Sequence, residues 1–431
     1  MAAAQDGSTP QAPRPEPLRL PPPGLPAAVE RDNALSPVVP RSRGTRGVTV
    51  TGRNRPAYDP LGVLAGGFRI DAAANLQAGF DSNVYRAEEG TSDAFASAEA
   101  NVGARSQWSR HSLSAEASVS QVLYASESVR DFTAYDLGLT GRYDLARATD
   151  LTVGLSQERS AIDQFSASEI AIVLQPVASD RTTATLRAST TMGRWFLSAN
   201  GAFVKFNLED SATLNGVEQS LRDRDYESYT AGAQIGYNTP SGARIFVSGT
   251  HEWRRHAVPS IPGRDVDTLE LLAGVESEIT PLLLGRLSAG YIQASFSDPS
   301  VDNRGALAID TRLDYLITQL TTINLRARRT VRQLALVNSP GALATQFRLG
   351  ADHELLRNLI LSAGAFYEKA DYFERDNDAR VLGAEFATRW LINRRFQATA
   401  SANYRTRDSD AFGPGANYDS LIATVGLTAS L

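Results

Sequence analysis

The stretch Phe68-Arg69-Ile70-Asp71-Ala72-Ala73-Ala74-Asn75-Leu76-Gln77-Ala78-Gly79-Phe80-Asp81 alternates without a break. Phe68, Ile70, Ala72, Ala74, Leu76, Ala78 and Phe80 share one phase, and Arg69, Asp71, Ala73, Asn75, Gln77, Gly79 and Asp81 share the other. Successive side chains of a strand point to opposite faces, so this is a strand with an apolar face and a polar one. Globular strands run to about five or six residues, whereas a tilted strand needs roughly 9–11 to cross the hydrocarbon of a bilayer. The length of this segment fits the second case.

The same pattern follows at once: Ala94, Ala96, Ala98, Ala100, Val102 and Ala104 lie against Ser97, Glu99, Asn101, Arg105 and Gln107. It recurs from 112–124 through 180–191 and 195–208 to 395–407 and 417–431, giving about eighteen segments in all. Short and long links alternate between them. Residues 83–91 form a long link and Ser109-Arg110-His111 a short one; later short links fall at Thr280-Pro281, Gln319-Leu320, Arg357-Asn358 and Asn393-Arg394. Short periplasmic turns opposite longer outer loops, with an even strand count, describe an outer-membrane barrel.

The aromatic residues agree. On the apolar phase Tyr135 and Tyr143, Tyr229 and Tyr237, and Phe396 and Tyr404 are each eight residues apart. At about 2.4 Å per residue along the membrane normal, that spacing covers ~19 Å and reaches both rims of a ~25 Å apolar band. Trp108 and Trp390 fall beside short turns, and Phe68 and Phe80 bracket the first strand, so all ten are expected in aromatic girdles. The last segment, Leu421 to Leu431, alternates to the chain end, as strands read by the barrel-insertion machinery do, although such strands usually end on an aromatic residue.

Residues 1–60 differ in texture. They hold 12 of the 20 prolines, including Pro21-Pro22-Pro23, and show no sustained period. Such a segment cannot bury enough apolar surface to offset chain entropy, so 1–60 is expected to be disordered and periplasmic, with the barrel over 61–431. The opening Met1-Ala-Ala-Ala-Gln5 has neither a charged nor an apolar signal region and reads as a mature N-terminus with an added Met. The fold class expected is all-β: a transmembrane antiparallel up-and-down barrel in the bacterial outer membrane, in contact with its lipid and lipopolysaccharide.

A net charge of −5 argues against a nucleic-acid partner, and the absence of cysteine excludes thiolate sites. His251-Glu252-Trp253-Arg254-Arg255-His256 is one residue too long for a zinc-protease helix, and on a strand its two histidines point to opposite faces. No nucleophile elbow or phosphate loop occurs. No enzyme activity, cofactor or metal is therefore expected. The acidic run Asp371–Asp378 reads first as a solvated loop and second as a Ca²⁺ bridge to lipopolysaccharide.

Arg55-Pro56-Ala57-Tyr58-Asp59-Pro60-Leu61-Gly62, Gly67-Phe68 and Ala78-Gly79-Phe80-Asp81-Ser82-Asn83-Val84-Tyr85 resemble the family called "Putative beta-barrel porin 2", whose members carry a YDPLG lead-in and an aromatic-Asp-x-Asn turn after the first strand. The resemblance implies an outer-membrane channel. Because several members accompany exopolysaccharide or capsule export systems, it further implies a passive exit pore working with a periplasmic polysaccharide-export protein. A general or sugar-selective diffusion porin, and a structural or assembly barrel with a closed lumen, are the alternatives.

The polar phase supplies the expected pore-lining residues. They are Arg69, Asp71, Gln77, Glu99 and Arg105 early in the chain; then Asp310, Arg312 and Asp314; Arg326, Arg328 and Arg332; and Arg348, Asp352 and Glu354. A hairpin turning at Gln319-Leu320 is expected to set Asp314 opposite Arg326 or Arg328. These charges can stiffen the wall through cross-strand pairs, orient solutes in a transverse field, or do both. Barrels of 16–18 strands leave an aqueous channel. The long link 161–179, with its apolar run Ile170–Leu174, is the candidate constriction.

Overall fold

The computed structural model describes residues 48–162, 174–212, 218–258, 263–332, 339–373, 378–410 and 417–431. Eighteen long strands form one antiparallel meander. They are β1 (Phe68–Asp81), β2 (Asp93–Ser106), β3 (Ser112–Tyr124), β4 (Phe132–Ala146), β5 (Thr149–Ala161), β6 (Ala178–Met192), β7 (Trp195–Leu208), β8 (Tyr226–Asn238) and β9 (Ala243–His256). The second half comprises β10 (Val266–Thr280), β11 (Leu283–Phe296), β12 (Arg304–Thr318), β13 (Thr321–Arg332), β14 (Ala342–Leu356), β15 (Leu359–Tyr372), β16 (Asp378–Leu391), β17 (Phe396–Ser409) and β18 (Tyr418–Ser430). Each pairs with its sequence neighbours, and β18 closes on β1 from Ala73↔Ser430 to Asp81↔Ile422. Closure satisfies every strand edge within the wall, which a bilayer requires.

The two phases separate cleanly. Leu76, Val425 and Ile245 are 66%, 61% and 58% exposed, whereas Asn75 on the opposite phase is 4% exposed. On a convex wall the outer side chains splay apart and the inner ones crowd. The crowded phase also makes contacts that skip strands, such as Arg286 of β11 reaching Gln234 of β8 and Arg407 of β17 reaching Tyr372 of β15. Only a concave side permits that. The apolar phase therefore faces lipid and the polar phase the lumen. The β6–β7 link is only Gly193-Arg194, and Gly193 takes φ +60°, the left-handed conformation that a two-residue hairpin demands.

The chain before the barrel departs from expectation. The whole of 1–60 was expected to be disordered, yet from Val48 onward the chain is packed on the short-turn rim. Val50 is fully buried, and its amide donates to Thr322 Oγ1 at 3.0 Å. Arg53 and Arg55 both pair with Glu354, at 2.9 and 2.8 Å. Arg394 Nε then donates to the Pro56 carbonyl at 3.0 Å, and Val63–Ala65 pairs antiparallel with Phe68–Ile70. The stagger of the barrel explains the last contact: β18 covers β1 only from Ala73 upward, so the lower edge of β1 would otherwise be bare. Apolar periodicity did not signal this because the segment is held by charge pairs and single backbone bonds. Residues 1–47 lie outside the described residues.

Near the long-loop ends the lumen phase turns apolar and seats the loops. Val177 and Leu221 pack with Phe206, Leu208 and Tyr226, and Ile162 joins them. Ile162 and Val177 belong to the expected constriction; Ile170–Val173 lie outside the described residues. At the first loop, Asp81 accepts from both terminal nitrogens of Arg86 (2.9 and 2.7 Å), while Asn83 Nδ2 donates to the Asp419 carbonyl across the β1–β18 seam. Tyr85 donates to Glu127 at 2.6 Å, and burial together with that carboxylate pushes its phenol up to about 12.

Candidate functional site in the barrel lumen

The lumen has two unlike walls. On β2–β5 the inward phase carries Glu99, Glu116, Asp136, Asp144, Asp150 and Glu158 against Arg105 and Arg142. In a closed ring of eighteen strands, half a turn from β2–β5 brings β11–β14. There the inward phase carries Arg286, Arg304, Arg312, Arg326, Arg328, Arg332 and Arg348 against Asp310, Asp314, Asp352 and Glu354. An excess of negative charge thus faces an excess of positive charge across the lumen. Charged walls of low dielectric focus such a field in the water between them.

At the short-turn end of the arginine wall sits a buried ionic node. Glu276 is 1% exposed and accepts from Arg286 Nη1 at 2.7 Å, Gln234 Nε2 at 2.9 Å and Arg244 Nη1 at 3.0 Å. The Arg244 guanidinium lies 3.8 Å from the Phe196 ring centroid, and that of Arg286 lies 3.8 Å from Phe246. Dehydrating three charges is costly unless their hydrogen bonds are replaced, and here the carboxylate and both aromatic faces do so. The node fixes the guanidinium positions more than it adds stability.

The expected pore-lining residues occupy the inward phase at different depths. Arg69 and Asp71 pair at 2.8 Å near the short-turn rim, where Arg69 also donates to the Pro60 carbonyl. Gln77, Glu99 and Arg105 are partly exposed on β1 and β2. Asp310 approaches Arg286 (3.6 Å) and Arg312 (3.7 Å) and stands opposite Arg328. Arg332 lies 3.7 Å from Glu368, and Arg348 pairs with Glu385. Asp352 accepts from Ser362 Oγ at 2.5 Å, and Glu354 is the anchor of the lead-in.

Asp314 requires a correction, because it faces Asn324 and neither Arg326 nor Arg328. A register irregularity between Tyr315 and Thr318 shifts the whole hairpin by one step, which turn length alone did not reveal. Sequence reasoning also missed Arg244, Glu276 and Arg286. Arg244 and Arg286 each sit alone among apolar or small neighbours and Glu276 is followed on its phase by Glu278, so their one signal was a charge close to a short link.

On the outer phase, Phe68, Trp108, Tyr143, Tyr237, Trp390 and Phe396 lie near the short-turn ends, and Phe80, Tyr135, Tyr229 and Tyr404 nearer the loops. Trp195 meets Tyr237 edge-on at 5.3 Å, and Phe203 meets Tyr229 at 5.2 Å, which adds partners the sequence did not suggest. Their two levels bracket the apolar band, as interfacial rings do.

With this wall and lumen in view, the family model for "Putative beta-barrel porin 2" matches residues 55–431. The chain belongs to that family and is a porin-like β-barrel of the outer membrane. No curated protein matches it in sequence. Among solved structures it is similar to OccK2 (OpdF) of Pseudomonas aeruginosa, at 12% identity over 84% of this chain and 98% of that one, with a TM-score of 0.46. OccAB4 of Acinetobacter baumannii gives 12%, 84%, 98% and 0.45, and the siderophore receptor PirA of Pseudomonas aeruginosa gives 10%, 84%, 80% and 0.41. None of these likenesses bears on what passes through this barrel.

Proposed function

We propose that the barrel is a passive conduit for hydrated, hydroxyl-rich cargo, and that the cargo is polysaccharide leaving the cell. The observation that carries this reading is the make-up of the lumen. Beside the acidic wall, the inward phase of β6–β8 carries Thr183, Thr185, Ser189, Ser198, Asn200 and Thr230 along with Arg181 and Arg187. Hydroxyls and amides trade hydrogen bonds with a sugar much as water does, so a chain meets many shallow contacts and no deep trap.

On this reading the chain before Val48 lies in the periplasm, where a tethered Pro-rich stretch can engage an export protein. Outside, the pairs Arg255–Asp267 (2.6 Å) and Lys369 with Asp371 and Asp378 (2.5 and 3.0 Å) near the loop ends would meet lipopolysaccharide. The C-terminal strand would be what the insertion machinery reads.

Planar-bilayer recording with the full chain, followed by liposome swelling in sugars of increasing length, tests the conduit. Steady current with entry of oligosaccharides is the expected result. Current with a cutoff at single sugars would favour a small-solute porin, and no current would favour a closed structural barrel.

A further inference from the structure

Strands β11–β14 each bring one arginine to the same rung of the wall. Arg286 faces Arg312, Arg312 faces Arg326, and Arg326 faces Arg348. Like charges directly opposite weaken a sheet pair, so three such steps in succession work against folding. The neighbouring rung follows the ordinary rule, with Asp310 between Ser288 and Arg328. Acids touch the row at Glu276, Asp310 and Glu385, among others. The side chains of Arg312 and Arg348 keep 30% and 41% of their surface open, and Arg326 is exposed on the inward phase. Rungs follow the hydrogen-bond direction, which is inclined in a tilted barrel. The row therefore climbs from Arg286, close to the short turn that opens β11 at Leu283, to Arg348 midway along β14. Strands repeat every ~4.8 Å, a spacing on the order of one pyranose ring along a sugar chain.

Resting on the conduit reading, we infer that the cargo is an acidic polysaccharide with carboxylates on successive sugars, a polyuronate, that passes along this arginine row. A guanidinium fork holds a carboxylate through two parallel bonds. Arg312, Arg326 and Arg348 present open forks in line, with buried Arg286 as the fixed foot of the row, so each carboxylate can leave one fork as it meets the next. The acidic wall of β2–β5 repels the same chain and presses it toward the row.

The test adds hexagalacturonate, galacturonate or maltohexaose to the short-turn side of the full chain in a planar bilayer. Hexagalacturonate is expected to interrupt the current at about ten-fold lower concentration than maltohexaose, the factor that one charge-assisted pair supplies. Raising the salt should shrink that gap in the unaltered protein. The double variant Arg326→Gln, Arg348→Gln should lose it, and Arg326→Lys, Arg348→Lys should restore part of it. Equal interruption by the acidic and neutral hexamers overturns the acidic cargo while leaving the conduit standing, as does a gap that survives both high salt and the Gln variant. Equal potency of galacturonate, counted per carboxylate, overturns the polymer. Absence of any current refutes the conduit itself, and the arginine path with it.

Discussion

The wall β2–β5 and the wall β11–β14 are built on one plan, alternating strands of nearly equal length, and yet they use their inward positions in opposite ways. On β2–β5 the acids meet only in two separate pairs, Asp136 opposite Glu158 and Asp144 opposite Asp150, while Glu99 faces Ser120 and Glu116 faces Gly103 and Gly138. On β11–β14 the arginines are concentrated on one rung and locked from behind by Glu276 and Asp310. The backbone tolerates either arrangement because its hydrogen bonds do not depend on the side chains. What differs is the register with which the charges meet, and register is where function can be written into a barrel without disturbing its wall.

The comparison presupposes that the phases are assigned correctly, and the largest expected effect tests that. Ala100 is exposed on the outer phase of β2 and Glu99 lies inward beside it. Ala100→Arg, near mid-membrane, should cost roughly 2–4 kcal/mol in a denaturant titration in lipid, whereas Glu99→Arg should be tolerated. Equal costs at the two positions would overturn the assignment of phases, and the opposite order would reverse it.

Of the two walls the lead-in touches the arginine wall, where Glu354, at 7% exposure, takes both Arg53 and Arg55. Glu354→Ala should release residues 48–57, read as faster proteolysis there with the barrel band on gels unchanged. A fully buried pair is worth ~3–5 kcal/mol to break; Arg53 is 31% exposed, so about 2 kcal/mol of local stability is expected. Unchanged cleavage would show that Val50 and the backbone bonds hold the segment by themselves.

Neutralising one charge on each wall should move ion selectivity in opposite directions. Arg326→Gln is expected to shift the reversal potential toward cations and Glu116→Gln toward anions, both more strongly at low salt, where screening is weaker. Shifts of the same sign would mean that ions do not sample both walls.

Most of the barrel could be read from the chain because period-2 alternation is a local property and strand length follows from bilayer thickness. Phe68–Asp81 carried both signals by itself. The lumen was legible as a phase but not as a set of neighbours. Which residue faces which depends on the shift between Tyr315 and Thr318, and the Arg286–Arg312–Arg326–Arg348 rung crosses four strands that no local pattern aligns. The Val50–Arg55 anchor was hidden for another reason: Thr322 lies 272 residues from Val50 in the chain and Glu354 lies 299 from Arg55.

The smallest expected effect separates two aspartates on one strand. Asp310 and Asp314 both point inward from β12 and look interchangeable in sequence. Asp310 approaches Arg286 and Arg312 and faces Arg328, whereas Asp314 faces Leu284 on one side and Asn324 on the other. Asp310→Asn withdraws charge from Arg286, whose side chain is only 4% exposed, so it should both loosen the wall and raise anion preference. Asp314→Asn changes a partly exposed carboxylate, whose cross-strand pairing is worth about 0.2–1 kcal/mol, so the barrel should fold normally. Its effect on reversal potential should have the same sign as that of Asp310→Asn and be smaller, since the charge it removes lies off the arginine rung. If Asp314→Asn moves selectivity as far as Asp310→Asn does, the narrow part of the path lies nearer the short-turn mouth than the rung. The field there would then belong to the rim and the lead-in, not to the two walls.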